Sequence, residues 1–160
     1  MRIYLNFDGV LNCIPNTKGP FEHLPAFDAV LRTHPKLEVV ISSSYRELIP
    51  IEVMRSWFSC GTQRQIVGVT PVLLGCRRVD EIRAHVKVTS YHRRFIVLDD
   101  TASEFPRNYR PLILCQTTRG LGEPELTELL NRLSKKNWTL ADIDELVYNG
   151  ALPAVPWSSP

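Results

Sequence analysis

The chain has 160 residues, the length of one domain, and such a chain buries roughly two thirds of its unfolded surface without needing disulfides or structural metals. Its 44% hydrophobic and 22% charged residues are ordinary globular usage and argue against a disordered, fibrous or membrane-spanning chain. The formal net charge of +2 comes from scattered Lys and Arg, which gives no nucleic-acid footprint and leaves pairs such as Arg93-Arg94 and Lys135-Lys136 as solvated surface.

Met1-Arg2 leads straight into an apolar run, so the N-terminus belongs to the fold and does not read as a signal peptide. Five short apolar runs have the length of buried strands, at residues 2–6, 37–42, 65–69, 94–98 and 111–116. Helical spacing falls between and after them, over 24–34, 48–58, 79–88 and 124–133. A further helix is expected over 137–150, with Thr139 as N-cap, Asp142 three residues on and Gly150 as the stop. Residues 151–160, with prolines and serines around Trp157, read as an extended or disordered tail. One domain over 1–150 is therefore expected, its core within 1–134.

Alternating strands and helices, with strands that lack a polar face, predict a mostly parallel five-stranded sheet covered by helices on both sides, a three-layer α/β/α arrangement. In such sheets ligands bind beyond the carboxyl ends of the strands. Those ends carry Asn6-Phe7-Asp8-Gly9 after the first strand, Ser42-Ser43-Ser44-Tyr45-Arg46 after the second and Asp99-Asp100 after the fourth. An adjacent carboxylate pair after a buried strand needs a cation or a proton to offset its repulsion, and oxygen-rich clusters suit Mg²⁺. Taken singly, each feature is also an ordinary turn or helix cap.

Cys13, Cys60, Cys76 and Cys115 form no C-x-x-C pair and read as small buried residues of a reduced, cytoplasmic protein. His23, His34, His85 and His92 show no metal-ligand spacing and read as surface or packing residues. A response-regulator receiver is excluded because the acidic pair follows the fourth strand instead of the first. A cysteine-phosphatase loop is excluded because the sixth residue after Cys60 is Ile66, not arginine.

The run Tyr4-Leu5-Asn6-Phe7-Asp8-Gly9-Val10-Leu11 resembles the first motif of the haloacid dehalogenase superfamily, normally Asp-x-Asp-Gly-Val/Thr, with Asn6 as the mismatch. The resemblance continues through the serine run, Arg78-x-x-Glu81-Ile82 and Phe95-Ile96-Val97-Leu98-Asp99-Asp100, and covers residues 1–134. It implies a Rossmann-like fold and a small, capless, Mg²⁺-dependent phosphatase working through an aspartyl-phosphate. Position 6 would be the nucleophile and Asp8 the general acid and base, its main-chain carbonyl helping to hold Mg²⁺. Ser42 or Ser43 would bind a phosphoryl oxygen, and Arg78, less well Arg77, would stabilise its charge. Asp99 and Asp100 would anchor the metal together with positions 6 and 8, one of the pair directly and the other through water, with Glu104 further out.

An amide at position 6 is uncharged and not nucleophilic, so the covalent step should fail while binding survives. Retention of the remaining set favours a substituted, substrate-trapping enzyme over a natural pseudoenzyme that serves as a phosphate-binding interaction module. The alternative of a nucleic-acid end-processing phosphatase domain finds little support in the charge. A capless site implies a phosphorylated substrate that can be macromolecular, or else a homo-oligomer that covers the site. The loop over 13–20 is the expected lid.

Overall fold

The computed structural model describes residues 1–16, 18–91 and 93–134. The helix expected over 137–150, the tail over 151–160 and His92 lie outside the described residues. Five strands, β1 (Arg2–Leu5), β2 (Glu38–Ile41), β3 (Ile66–Val69), β4 (Phe95–Asp99) and β5 (Leu112–Leu114), form one sheet of order β3-β2-β1-β4-β5. Every pairing is parallel. The helices are α1 (Leu24–Thr33), α2 (Ile51–Ser56), α3 (Arg78–Val88) and α4 (Glu123–Ser134).

β1 and β4 are buried on both faces, which requires cover on each side. On one face Ile3, Leu5, Val39, Ile41, Ile96 and Leu98 meet Phe27 and Leu31 of α1, Met54 of α2 and Leu129 of α4. On the other, Tyr4, Val40 and Val97 meet Val79, Ile82 and Val86 of α3. This is the expected three-layer arrangement, and the sheet is wholly parallel.

One helix differs from its sequence reading. The spacing predicts a single helix over 48–58, but a 3-10 turn occupies Ser44–Glu47 and α2 begins only at Ile51. Pro50 is the N-cap, at φ −56° and ψ 144°. Proline carries no N–H for a helix interior and drives the residue before it out of helical conformation, so the pattern is cut there.

Beneath the sheet, His85 of α3 packs edge-on against Tyr4, and its Nδ1 lies 3.0 Å from the Tyr4 hydroxyl. Burial, with a smaller contribution from Arg2, lowers the His85 pKa from 6.5 to about 4. The unfolded chain therefore takes up this proton first, and stability present above pH 6.5 is lost as pH falls towards about 4. For a partly exposed ring the change should be about 1–2 kcal/mol. Urea midpoints should fall more between pH 7 and pH 5 for the unaltered chain than for His85→Gln; parallel falls would contradict the assignment.

Candidate active site

The strand order reverses between β1 and β4, and the polar residues gather outside the carboxyl ends of these strands, where open α/β sheets bind ligands. Leu5 is in register with Ile41 on one side and Leu98 on the other, so Asn6, Ser42 and Asp99 are the next residues of three adjacent strands. Tyr4, Val40 and Val97 face α3, and the two-residue repeat directs Asn6, Ser42 and Asp99 to that same face.

The segment after β1 is a tight turn. Phe7 O accepts hydrogen bonds from the backbone N–H groups of Val10, Leu11 and Asn12, and Gly9 has φ +68°. A Cβ at Gly9 would lie 2.1 Å from the carboxyl carbon of Asp100, so only glycine allows the turn to approach this aspartate. Buried Asn6 donates from Nδ2 to Asp8 O at 2.8 Å and to Asp100 Oδ1 at 3.2 Å. Asp8 Oδ1 accepts from the Tyr45 hydroxyl at 3.1 Å and from Asn12 Nδ2 at 3.2 Å. Asp100 also accepts from Thr101 Oγ1 at 3.2 Å and, on Oδ2, from Thr117 Oγ1 at 2.7 Å.

Asp99 has a different environment. It is fully buried and paired with Arg78, whose Nη1 donates to Oδ2 at 2.6 Å, while Oδ1 accepts from Thr101 N at 3.0 Å. Burial pushes the Asp99 carboxyl above its ordinary value, against the opposing pull of the guanidinium. Arg78 opens α3, and its backbone N–H is held by Glu104 Oε2 at 2.7 Å. Arg77 lies outside this cluster, 3.8 Å from Asp80.

Ser42 and Ser43 are both buried. The Ser42 hydroxyl has no hydrogen-bond partner, whereas Ser43 Oγ accepts from Tyr45 N at 3.4 Å and so caps the 3-10 turn. Neither hydroxyl has a carboxylate partner that would compete with an incoming anion.

One comparison decides the relationship. The family model for the HAD domain in Swiss Army Knife RNA repair proteins matches residues 2–126. The chain belongs to this family. No curated protein and no solved structure matches it. The HAD match spans all five strands and reaches α4, so the Rossmann-like α/β fold and a phosphohydrolase-type domain are established for the part that carries the cluster. Among the described residues no helix is long and apolar enough to cross a membrane.

Several residues that build this cluster were not assigned from sequence. Asn12 and Tyr45 hold Asp8, and Thr117 holds Asp100. Arg46 closes the serine run, yet it acts as a clamp: its guanidinium donates to the carbonyls of Ser42, Ser43, Thr70 and Pro71 and pairs with Glu81 at 2.5 Å. Tyr45 and Arg46 lie inside the serine run and Asn12 directly follows the first motif, so their positions were a usable signal. Thr117 sits in an undistinguished loop and gave none.

Proposed function

We propose that this HAD domain binds Mg²⁺ and a phosphate monoester, in keeping with its family a phosphorylated RNA end, and that Asn6 leaves it poorly able or unable to cleave that ester. The observation that carries the reading is the Asn6 amide, whose N–H₂ lies between Asp8 O and Asp100 Oδ1. A hydrogen-bond donor between two oxygens occupies the place of a small cation. Rotating the amide would offer a third oxygen, and carbonyl, carboxylate and amide oxygens are the hard donors Mg²⁺ takes.

Bound there, Mg²⁺ would offset the carboxylate charge and that of the phosphoryl oxygens. Asp100 would be the direct carboxylate ligand, because Asp99 is already paired with Arg78. Arg78 spends one side-chain N–H on Asp99 and retains the rest of its donor fork for a phosphoryl oxygen. Ser42, with its unpartnered hydroxyl, is the better phosphate donor of the two serines. Asp8, oriented by Tyr45 and Asn12, is the proton carrier for the leaving oxygen.

RNA is favoured over a phosphoprotein by the family and by the aromatic rings beside Asp8. Tyr45 meets Trp57 edge-on, and Phe21 lies 4.8 Å from Trp57 between ring centroids, all three partly exposed. Such surfaces stack unpaired bases. Fluorescence anisotropy with short oligoribonucleotides tests the reading on the unaltered chain. In Mg²⁺ a 5′- or 3′-phosphorylated end should bind at least about 10-fold more tightly than the unphosphorylated oligomer, and Arg78→Ala should abolish the difference. Equal binding of phosphorylated and plain ends, with or without Mg²⁺, would contradict it.

A further inference from the structure

Away from the carboxylates, three side chains from the connection between β1 and α1 converge. Cys13 Sγ lies 3.4 Å from His23 Nε2, Glu22 Oε1 lies 3.7 Å from the same nitrogen, and the three ligand atoms are all within 4.8 Å of one another. Cys13 is buried, and the Glu22 and His23 side chains are only 8% and 19% exposed. Glu22 Oε2 has no hydrogen-bond partner; Lys18 Nζ stands 3.8 Å away, beyond hydrogen-bonding reach.

Thiol, imidazole and carboxylate meet in proteins for two main reasons. In a nucleophilic triad the thiol and the carboxylate take opposite ring nitrogens, so that the ring can accept a proton from one while the other orients it. Here both approach Nε2, which does not fit that relay, and the three ligand atoms stand within 4.8 Å of one another, close enough to share one ion. Zinc bonds of about 2.0–2.3 Å give tetrahedral ligand-to-ligand separations of about 3.3–3.8 Å, and the observed 3.4 and 3.7 Å fall in that range.

We propose that Cys13, Glu22 and His23 form a second metal site, selective for Zn²⁺, with water completing the tetrahedron. A thiolate and a carboxylate neutralise the dication, so the filled site carries no net charge into its buried setting. The sulfur and imidazole ligands separate it from the all-oxygen Mg²⁺ site. Gly120 makes room for the ring: a Cβ there would lie 2.6 Å from His23 Cδ2 and 2.8 Å from Nε2, so the imidazole takes a position that only glycine leaves open.

The metal fastens Cys13 to Glu22 and His23 and thereby fixes the neighbours of the phosphate site. Asn12, next to Cys13, holds Asp8 and accepts a hydrogen bond from Phe21 N, next to Glu22. Ile14 N donates to Thr117 O at 2.9 Å, and the Thr117 hydroxyl holds Asp100. The zinc ligands are positioning residues and touch no substrate.

The test is titration of the chelator-stripped full chain with Co²⁺ and then Zn²⁺. One equivalent of Co²⁺ should give a thiolate-to-cobalt charge-transfer band with tetrahedral visible bands, and Zn²⁺ should displace it. Asp100→Asn and Cys60→Ser should retain the signal. Cys13→Ser and His23→Gln, checked for folding by circular dichroism, should lower affinity more than about 100-fold, since loss of an outer-shell partner alone costs about 10–100-fold. Glu22→Gln is the mildest change and should still weaken binding at least about 10-fold. Absence of the charge-transfer band in the unaltered chain overturns the proposal. So does its survival in Cys13→Ser, which would assign it to another cysteine, or its loss in Asp100→Asn.

Discussion

Asn6→Asp should raise Mg²⁺-dependent hydrolysis of p-nitrophenyl phosphate by about 10³-fold or more over the unaltered chain, read as kcat with and without the metal. The residues proposed as the rest of the machinery gather around position 6: Asp8 held by Tyr45 and Asn12, Arg78 on Asp99, and Asp100 held by Thr101 and Thr117. A nucleophile and its partners act as a unit, so restoring the missing member recovers most of what its absence costs. The same substitution removes the N–H₂ that now separates Asp8 O from Asp100 Oδ1 and replaces it with oxygen. Without a cation those oxygens repel one another, so Mg²⁺ should raise Tm more in the Asn6→Asp protein than in the unaltered chain. Adding Asp8→Asn to the restored enzyme should slow alkyl phosphates far more than p-nitrophenyl phosphate, because only poor leaving groups need the proton. A folded Asn6→Asp protein with no Mg²⁺-dependent hydrolysis would end the enzyme reading and leave a binding module.

Arg46→Ala should destabilise the fold by about 3–5 kcal/mol and lower Tm by roughly 10 °C, a large effect from a residue outside the proposed chemistry. Its side chain is 3% exposed and its partner Glu81 is 9% exposed, so truncation leaves a buried carboxylate whose remaining hydrogen-bond partner is the backbone N–H of Leu73. It also releases four carbonyls at the ends of β2 and β3. Burial already raises the Glu81 pKa against the pull of Leu73 N–H and Arg46, so without the guanidinium the carboxyl would tend to neutralise, which keeps the loss finite. Replacing both partners, Arg46→Met with Glu81→Leu, should recover much of the stability while loosening the serine loop. Calorimetry decides the matter: a loss below about 1 kcal/mol for Arg46→Ala would mean that the pair is not buried in solution.

The sheet was legible because β1, β2 and β4 are apolar on both faces, which leaves few alternatives for such short runs. Misreading the helix over 48–58 came from following its periodicity past Pro50. The candidate site was legible as an order of polar residues at strand ends, since a parallel sheet aligns those ends whatever the connections do. What stayed hidden depends on how connections fold back. Arg46 reads as one more residue of a polar run until β3 supplies carbonyls for it. Cys13 and His23 match no common ligand spacing, and they meet because the chain reverses through Gly19 and Phe21, at φ +105° and +56°. A positive φ at phenylalanine has no signature in the sequence.

The connection between β3 and α3 has one further consequence. Arg46 and Glu81 hold it as far as Leu73, after which Leu74 is 96% exposed and nothing would obstruct a Cβ on Gly75. Leu73 O and Cys76 N then close a turn at 3.0 Å, so the chain leaves and rejoins the body at almost one point. A folded module spliced between Leu74 and Gly75 would therefore hang beside the start of α3, which Arg78 opens, without disturbing the clamp or Arg78 itself. At this seam the proposed phosphate site could acquire a roof, and with it a choice of which ligands enter.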